Sequence, residues 1–123
     1  MAAVRRRRQA LEAAVAAAEN PSAIAKARYA LAIFHDNNGR EASAIPHYRS
    51  AIALGLPEPE DAAAWAWLAS SLWKTGAAAE AAEAIARSRA LAPSPAIARF
   101  LEGLERRIDR RLRSIARPTP AGG

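Results

Sequence analysis

The chain predicts an all-α fold of about six helices, and three observations carry that prediction. Apolar residues recur at three- and four-residue spacing, and no window shows the strict alternation of a strand. Alanine, the best helix former, dominates the composition. Eight prolines and six glycines fall mostly between the periodic stretches, where they act as punctuation. At 123 residues the chain is expected to form a single domain over 1–117, followed by a disordered tail over 118–123, Pro-Thr-Pro-Ala-Gly-Gly.

The first helix is expected over 4–19, with Val4, Leu11 and Val15 on one side. Asn20-Pro21 ends it and opens the next, because asparagine caps well and proline suits the first helical turn. A second helix follows over 22–36, with Asn37-Asn38-Gly39 as its turn. Pro46 sits near the start of the third helix, where a missing N–H costs little. Gly55 to Asp61 then forms a longer connection.

The stretch from Trp65 to Pro93, WAWLASSLWKTGAAAEAAEAIARSRALAP, has the most regular pattern. Trp65, Leu68, Ala69 and Leu72 make one helical stripe, and Gly76 supplies the left-handed residue that ends a helix. Ala81, Ile85, Ser88 and Leu91 make the stripe of a helix folding back on the first, and Pro93 stops it. Trp65 is expected in the core, where truncation to alanine costs roughly 3–5 kcal/mol. Trp67 is left open, either packed on the neighbouring hairpin or exposed. Ser94-Pro95 caps a last helix over 95–116, with an apolar stripe from Ile97 through Ile115 and an arginine-rich opposite face.

This pattern resembles the tetratricopeptide repeat, a helix–turn–helix unit of about 34 residues with the form W-x-x-L-G-x-x-Y…A-x-x-x-F…P. A weaker copy precedes it at an offset of 37 residues, pairing Gly39 with Gly76, Ala44 with Ala81 and Tyr48 with Ile85. Arg28 stands where the second copy has Trp65, and His35 where an aromatic or aliphatic residue is usual. The repeats are placed at about 25–57 and 62–93, with 4–19 and 95–116 as flanking helices. REASAIPHYRSAIALGL followed by WLASSLWKTG is similar to a family of short bacterial proteins of this kind and of about this whole length. The resemblance implies a right-handed α-α superhelix serving as a non-enzymatic scaffold, with no catalytic residues to carry over.

By the same resemblance, the first helix of each pair lines a concave groove that holds a peptide or helix of another protein. That places Lys26, Tyr29, Ile33 and Asn37 in the groove from the first repeat, and Ala66, Ser70, Trp73 and Lys74 from the second. Tyr29 and Trp73 are the expected anchors, since aromatics dominate binding hot spots. Members that clamp a terminal carboxylate use lysine and asparagine where this chain has Tyr29 and Ile33, so that clamp is missing.

The net charge of +6 is concentrated at the ends. Residues 1–19 carry four arginines against two acids, 96–117 carry seven against three, and 20–95 balance at seven each. Arg5, Arg6, Arg7 and Arg8, with Arg106, Arg107, Arg110 and Arg113, form the expected basic patches. They support an alternative reading as an accessory nucleic-acid or polyanion binder, against a plain solvated face. Aromatics that would stack on bases do not interleave with them, which weighs against nucleic acid.

No cysteine is present, which excludes disulfides, thiolate metal sites and cysteine nucleophiles. His35 and His47 share no acidic residue at ligand spacing, and Ser70-Ser71 lacks a nucleophile's surroundings. No metal, cofactor or catalytic residue is therefore expected. No apolar run is long enough to span a membrane, and the alanine-carried start lacks the core of a signal sequence. The chain reads as a cytoplasmic protein without membrane contact, whose open-ended stack also allows homo-oligomers.

Overall fold

Asn20 caps a helix as its sequence requires: its backbone is extended, and its side chain accepts from the Ala23 N–H at 2.8 Å, with Pro21 at the first helical position. Ser94 does the same for the last helix, accepting from Ile97 N–H at 3.3 Å ahead of Pro95. Between such signals the computed structural model, which describes residues 2–116, runs through six helices. They are α1 (Ala2–Ala17), α2 (Pro21–Asn37), α3 (Glu41–Leu54), α4 (Glu60–Lys74), α5 (Ala78–Ala90) and α6 (Pro95–Ala116). No strand occurs among the described residues, and no helix there is long and apolar enough to cross a membrane. The tail expected over 118–123 lies outside them.

α2 packs on α3 and α4 on α5 as two hairpins, and α3 against α4 joins them. α1 adds to α2 at one end, while α6 lies against both α4 and α5 at the other. Small residues set the spacing. Ala32, Ala44, Ala66, Ala69 and Ala81 are fully buried, and Tyr48, Leu68, Ile85, Leu101, Leu104 and Ile108 fill the volume between them. Ser88 is buried as well, donating its hydroxyl to the Ala62 carbonyl at 2.7 Å and so tying α5 to the first turn of α4.

Three expectations change. Trp65 is only half-buried: it packs against the core from outside, with the Arg87 guanidinium 5.9 Å from its ring centre. The upper end of the cost set for its truncation therefore no longer applies. Leu91 lies one residue past the end of α5 and is exposed, so the stripe of that helix ends at Ser88. The first helix ends at Ala17 rather than 19, because Asn20 already adopts the cap geometry of α2.

Candidate partner-binding surfaces

Tyr29 and Ile33 stand one turn apart on α2, both half-buried, with Lys26 and Asn37 exposed on either side of them. The Tyr29 ring is tilted 57° against Tyr48 at 6.3 Å, and burial pushes its phenol above the ordinary value, against a hydrogen bond from Trp67 that lowers it. It borders a cleft of about 300 Å³ closed by Pro59, Asp61, Leu91, Pro93 and Ile97. A second cleft of about 280 Å³ is lined by Ile33, Asp36, Asn37, Tyr48 and Trp67. The open question about Trp67 is thereby answered. It is half-buried, bordering this cleft while its ring meets Phe100 of α6 edge-on at 5.0 Å.

Ala66 and Ser70, expected in the open groove, are instead buried, with 0% and 9% exposure. For Ala66 the physical reason is α6. It packs on α4, and Ala66 joins the same apolar cluster as Leu101, Leu104 and Ile108. α6 thus takes up part of the face of α4 that the resemblance leaves open.

Trp73 is separated from Tyr29 and lines different clefts. The larger, about 600 Å³, is built with Arg107, Arg110, Arg111, Ser114 and Ile115 of α6. The Arg111 guanidinium lies 5.9 Å from the Trp73 ring centre, within reach of a cation–π contact. Lys74 is exposed and 3.9 Å from Glu41. The expected second-repeat anchor and the expected C-terminal arginine face, far apart in sequence, therefore meet. Its i+4 relation to Arg107 puts Arg111 on the same side of α6.

The two basic patches lie at opposite ends of the stack. Arg5, Arg6 and Arg7 are exposed on α1, whereas Arg8 is half-buried and paired with Glu12 at 3.3 Å. Arg106, Arg107, Arg110 and Arg113 are exposed on α6.

Two polar features were not legible in advance. Asp36, half-buried on α2, accepts from the Tyr48 hydroxyl at 2.9 Å and the Ser71 hydroxyl at 3.0 Å. One carboxylate thus ties α2 to α3 and α4, and burial followed by the Asp36 charge pushes the Tyr48 phenol far up. Ser71 is committed to that bond rather than to any nucleophilic role. His35 and His47 stack with ring centres 5.5 Å apart and planes 8° from parallel, and Arg28 Nη1 lies 3.2 Å from His47 Nδ1. Burial lowers both imidazoles first. Arg40 and Arg8 lower His35 further, Arg28 and His35 lower His47, and Glu12 opposes in each case. No group of three or more histidine and acidic side chains that could hold a metal occurs among the described residues.

A family model described as tetratrico peptide repeat matches residues 25–105, which takes in most of α2, all of α3 to α5 and the first half of α6. No curated protein and no solved structure matches the chain.

Proposed function

We propose a function from one premise: the chain belongs to the tetratricopeptide-repeat family. Repeats of this kind serve as protein–protein interaction scaffolds and are generally non-enzymatic. The reading is a scaffold without turnover that holds a peptide or helix of another protein on the exposed side of α2. Tyr29 and Ile33 anchor it, Trp67 forms the floor, and Asn37 and Lys26 supply polar contacts at the rim. The observation that supports this is the adjacency of Tyr29 and Ile33, both only half-buried, to clefts of about 300 and 280 Å³. Half-exposed aromatic and aliphatic side chains beside concave space are what hot spots are made from.

A pull-down from nuclease-treated lysate tests this, comparing wild type with a Tyr29→Ala/Ile33→Lys variant shown by circular dichroism to be folded. A discrete protein held by wild type and lost by the variant is the expected result. The same catch from both proteins overturns the reading.

The second reading, a polyanion binder, is supported by the exposure of Arg5, Arg6 and Arg7 at one end and of Arg106, Arg107, Arg110 and Arg113 at the other. Binding that falls steeply with salt and ignores the Tyr29 variant would favour it.

A further inference from the structure

The apolar stripe of α6 outlasts its partner helix. Leu101, Leu104 and Ile108 are 0–2% exposed against α4 and α5, but the same stripe continues to Leu112, 44% exposed, and Ile115, 70% exposed. α4 has already ended at Lys74, so nothing among the described residues covers this extension. Residues 109–116 add two helical turns, about 12 Å of uncovered length. At the junction, Trp73 closes the cleft of about 600 Å³ that Arg107, Arg110, Arg111, Ser114 and Ile115 line. Among the described residues none of Arg107, Arg110 and Arg111 takes part in an ion pair.

We propose that this end of the molecule, α6 from Arg107 to Ile115 with Trp73, is a docking site for an acidic amphipathic helix of another protein. Two requirements select that occupant. Leu112 and Ile115 are covered favourably only by an apolar stripe, and a helix of two to three turns matches the exposed length. Three arginines without acidic partners call for carboxylates flanking that stripe.

A second copy of this chain meets the first requirement but not the second. Residues 96–117 carry seven arginines against three acids, so pairing two such ends sets like charges together. Nucleic acid meets the second but not the first. Its phosphates give the exposed leucine and isoleucine no contact, and the Trp73 ring already carries Arg111 in place of a base. The site is distinct from the Tyr29 surface, and the proposal stands without it.

The test titrates the full chain with a fluorescein-labelled acidic helical peptide, glutamates and leucines arranged to give one apolar stripe. Controls are the same composition scrambled and a single-stranded oligonucleotide of equal charge. Saturable binding of the patterned peptide is expected, weakened at least ~10-fold by Arg107→Glu/Arg111→Glu and by Leu112→Ser/Ile115→Ser. These side chains, apart from the Arg111 contact with Trp73, are solvent-facing, and circular dichroism checks that each variant folds. The Tyr29→Ala/Ile33→Lys variant is expected to bind as wild type does, which separates failure here from failure of the groove reading. Three results overturn the proposal: no saturable binding of the patterned peptide, equal binding of the scrambled peptide or oligonucleotide, or indifference to Leu112→Ser/Ile115→Ser.

Discussion

Asp36 joins three helices through a single side chain, since its two oxygens accept from Tyr48 on α3 and Ser71 on α4. Ser71 is fully buried, so deleting Asp36 removes the one side-chain partner its hydroxyl has. Asp36→Ala is expected to lower stability by about 2–6 kcal/mol in urea unfolding, a penalty of about 1–3 kcal/mol for each hydroxyl. Asp36→Asn keeps an acceptor oxygen and should cost less than half as much. The sequence hides this role because Asp36 runs into Asn37-Asn38-Gly39, where it looks like part of a turn. The histidine pair allows a second prediction at this scale. Both folded imidazoles lie below the unfolded value of 6.5, so the unfolded chain takes up protons first as pH falls. Their contribution to stability is complete above 6.5 and is lost as pH drops through the folded values below it. Urea midpoints measured from neutral to mildly acidic pH should fall in wild type, and fall less in a His35→Phe/His47→Phe variant. Equal slopes would mean that other groups cause the loss.

At the scale of the element, turn chemistry was the readable part. Asn20, Ser94 and Gly76 each do what their residue type dictates: two side-chain caps, and a glycine at φ 90° closing α4. Burial was less readable. The repeat pattern singles out Trp65 by its position, but how deeply it sits depends on how α5 packs across it, and there Arg87 lies over the outer side of the ring. Leu91 falls in phase with its helix and yet is exposed, because α5 has ended before reaching it. Just beyond, Ala92 adopts φ 53°, a left-handed conformation that alanine pays for and nothing in the sequence announces. Ala92→Gly is therefore expected to raise stability by about 0.5–1 kcal/mol, and Gly76→Ala to lower it by about 1 kcal/mol. No atom stands within 4 Å of a Cβ added at Gly76, so the second effect is conformational rather than steric. Paired thermal melts measure both, and the same sign for both would contradict the assignment.

For the whole molecule, the two end helices looked alike in sequence, each arginine-rich and each flanking the repeats, but they differ in what they bury. α1 buries one side chain, Leu11, against α2. α6 places Leu101, Leu104 and Ile108 in the central cluster and seats Phe100 edge-on to Trp67. This difference is also why the burial of Ala66 and Ser70 was not legible. The resemblance offers residues of α4 for an open face, but it does not say that α6 would pack on α4 and that Ala66 would join its apolar cluster. Docking depends on crossing geometry between helices far apart in sequence, and no periodicity encodes it. The consequence for stability is unequal. Burying one leucine-sized side chain contributes about 1.5–3 kcal/mol, so removing α1 should leave a protein that still unfolds cooperatively at a lower urea midpoint. Removing α6 takes three such side chains from the core and exposes Trp67, a loss comparable with the 5–15 kcal/mol of a typical domain. The chain ending at Pro93 should accordingly lose its cooperative transition by tryptophan fluorescence while keeping part of its helical circular dichroism. If it instead melts cooperatively near the wild-type midpoint, α6 is an appendage to the stack, and the burial of Ala66 and Ser70 contributes little to holding it together.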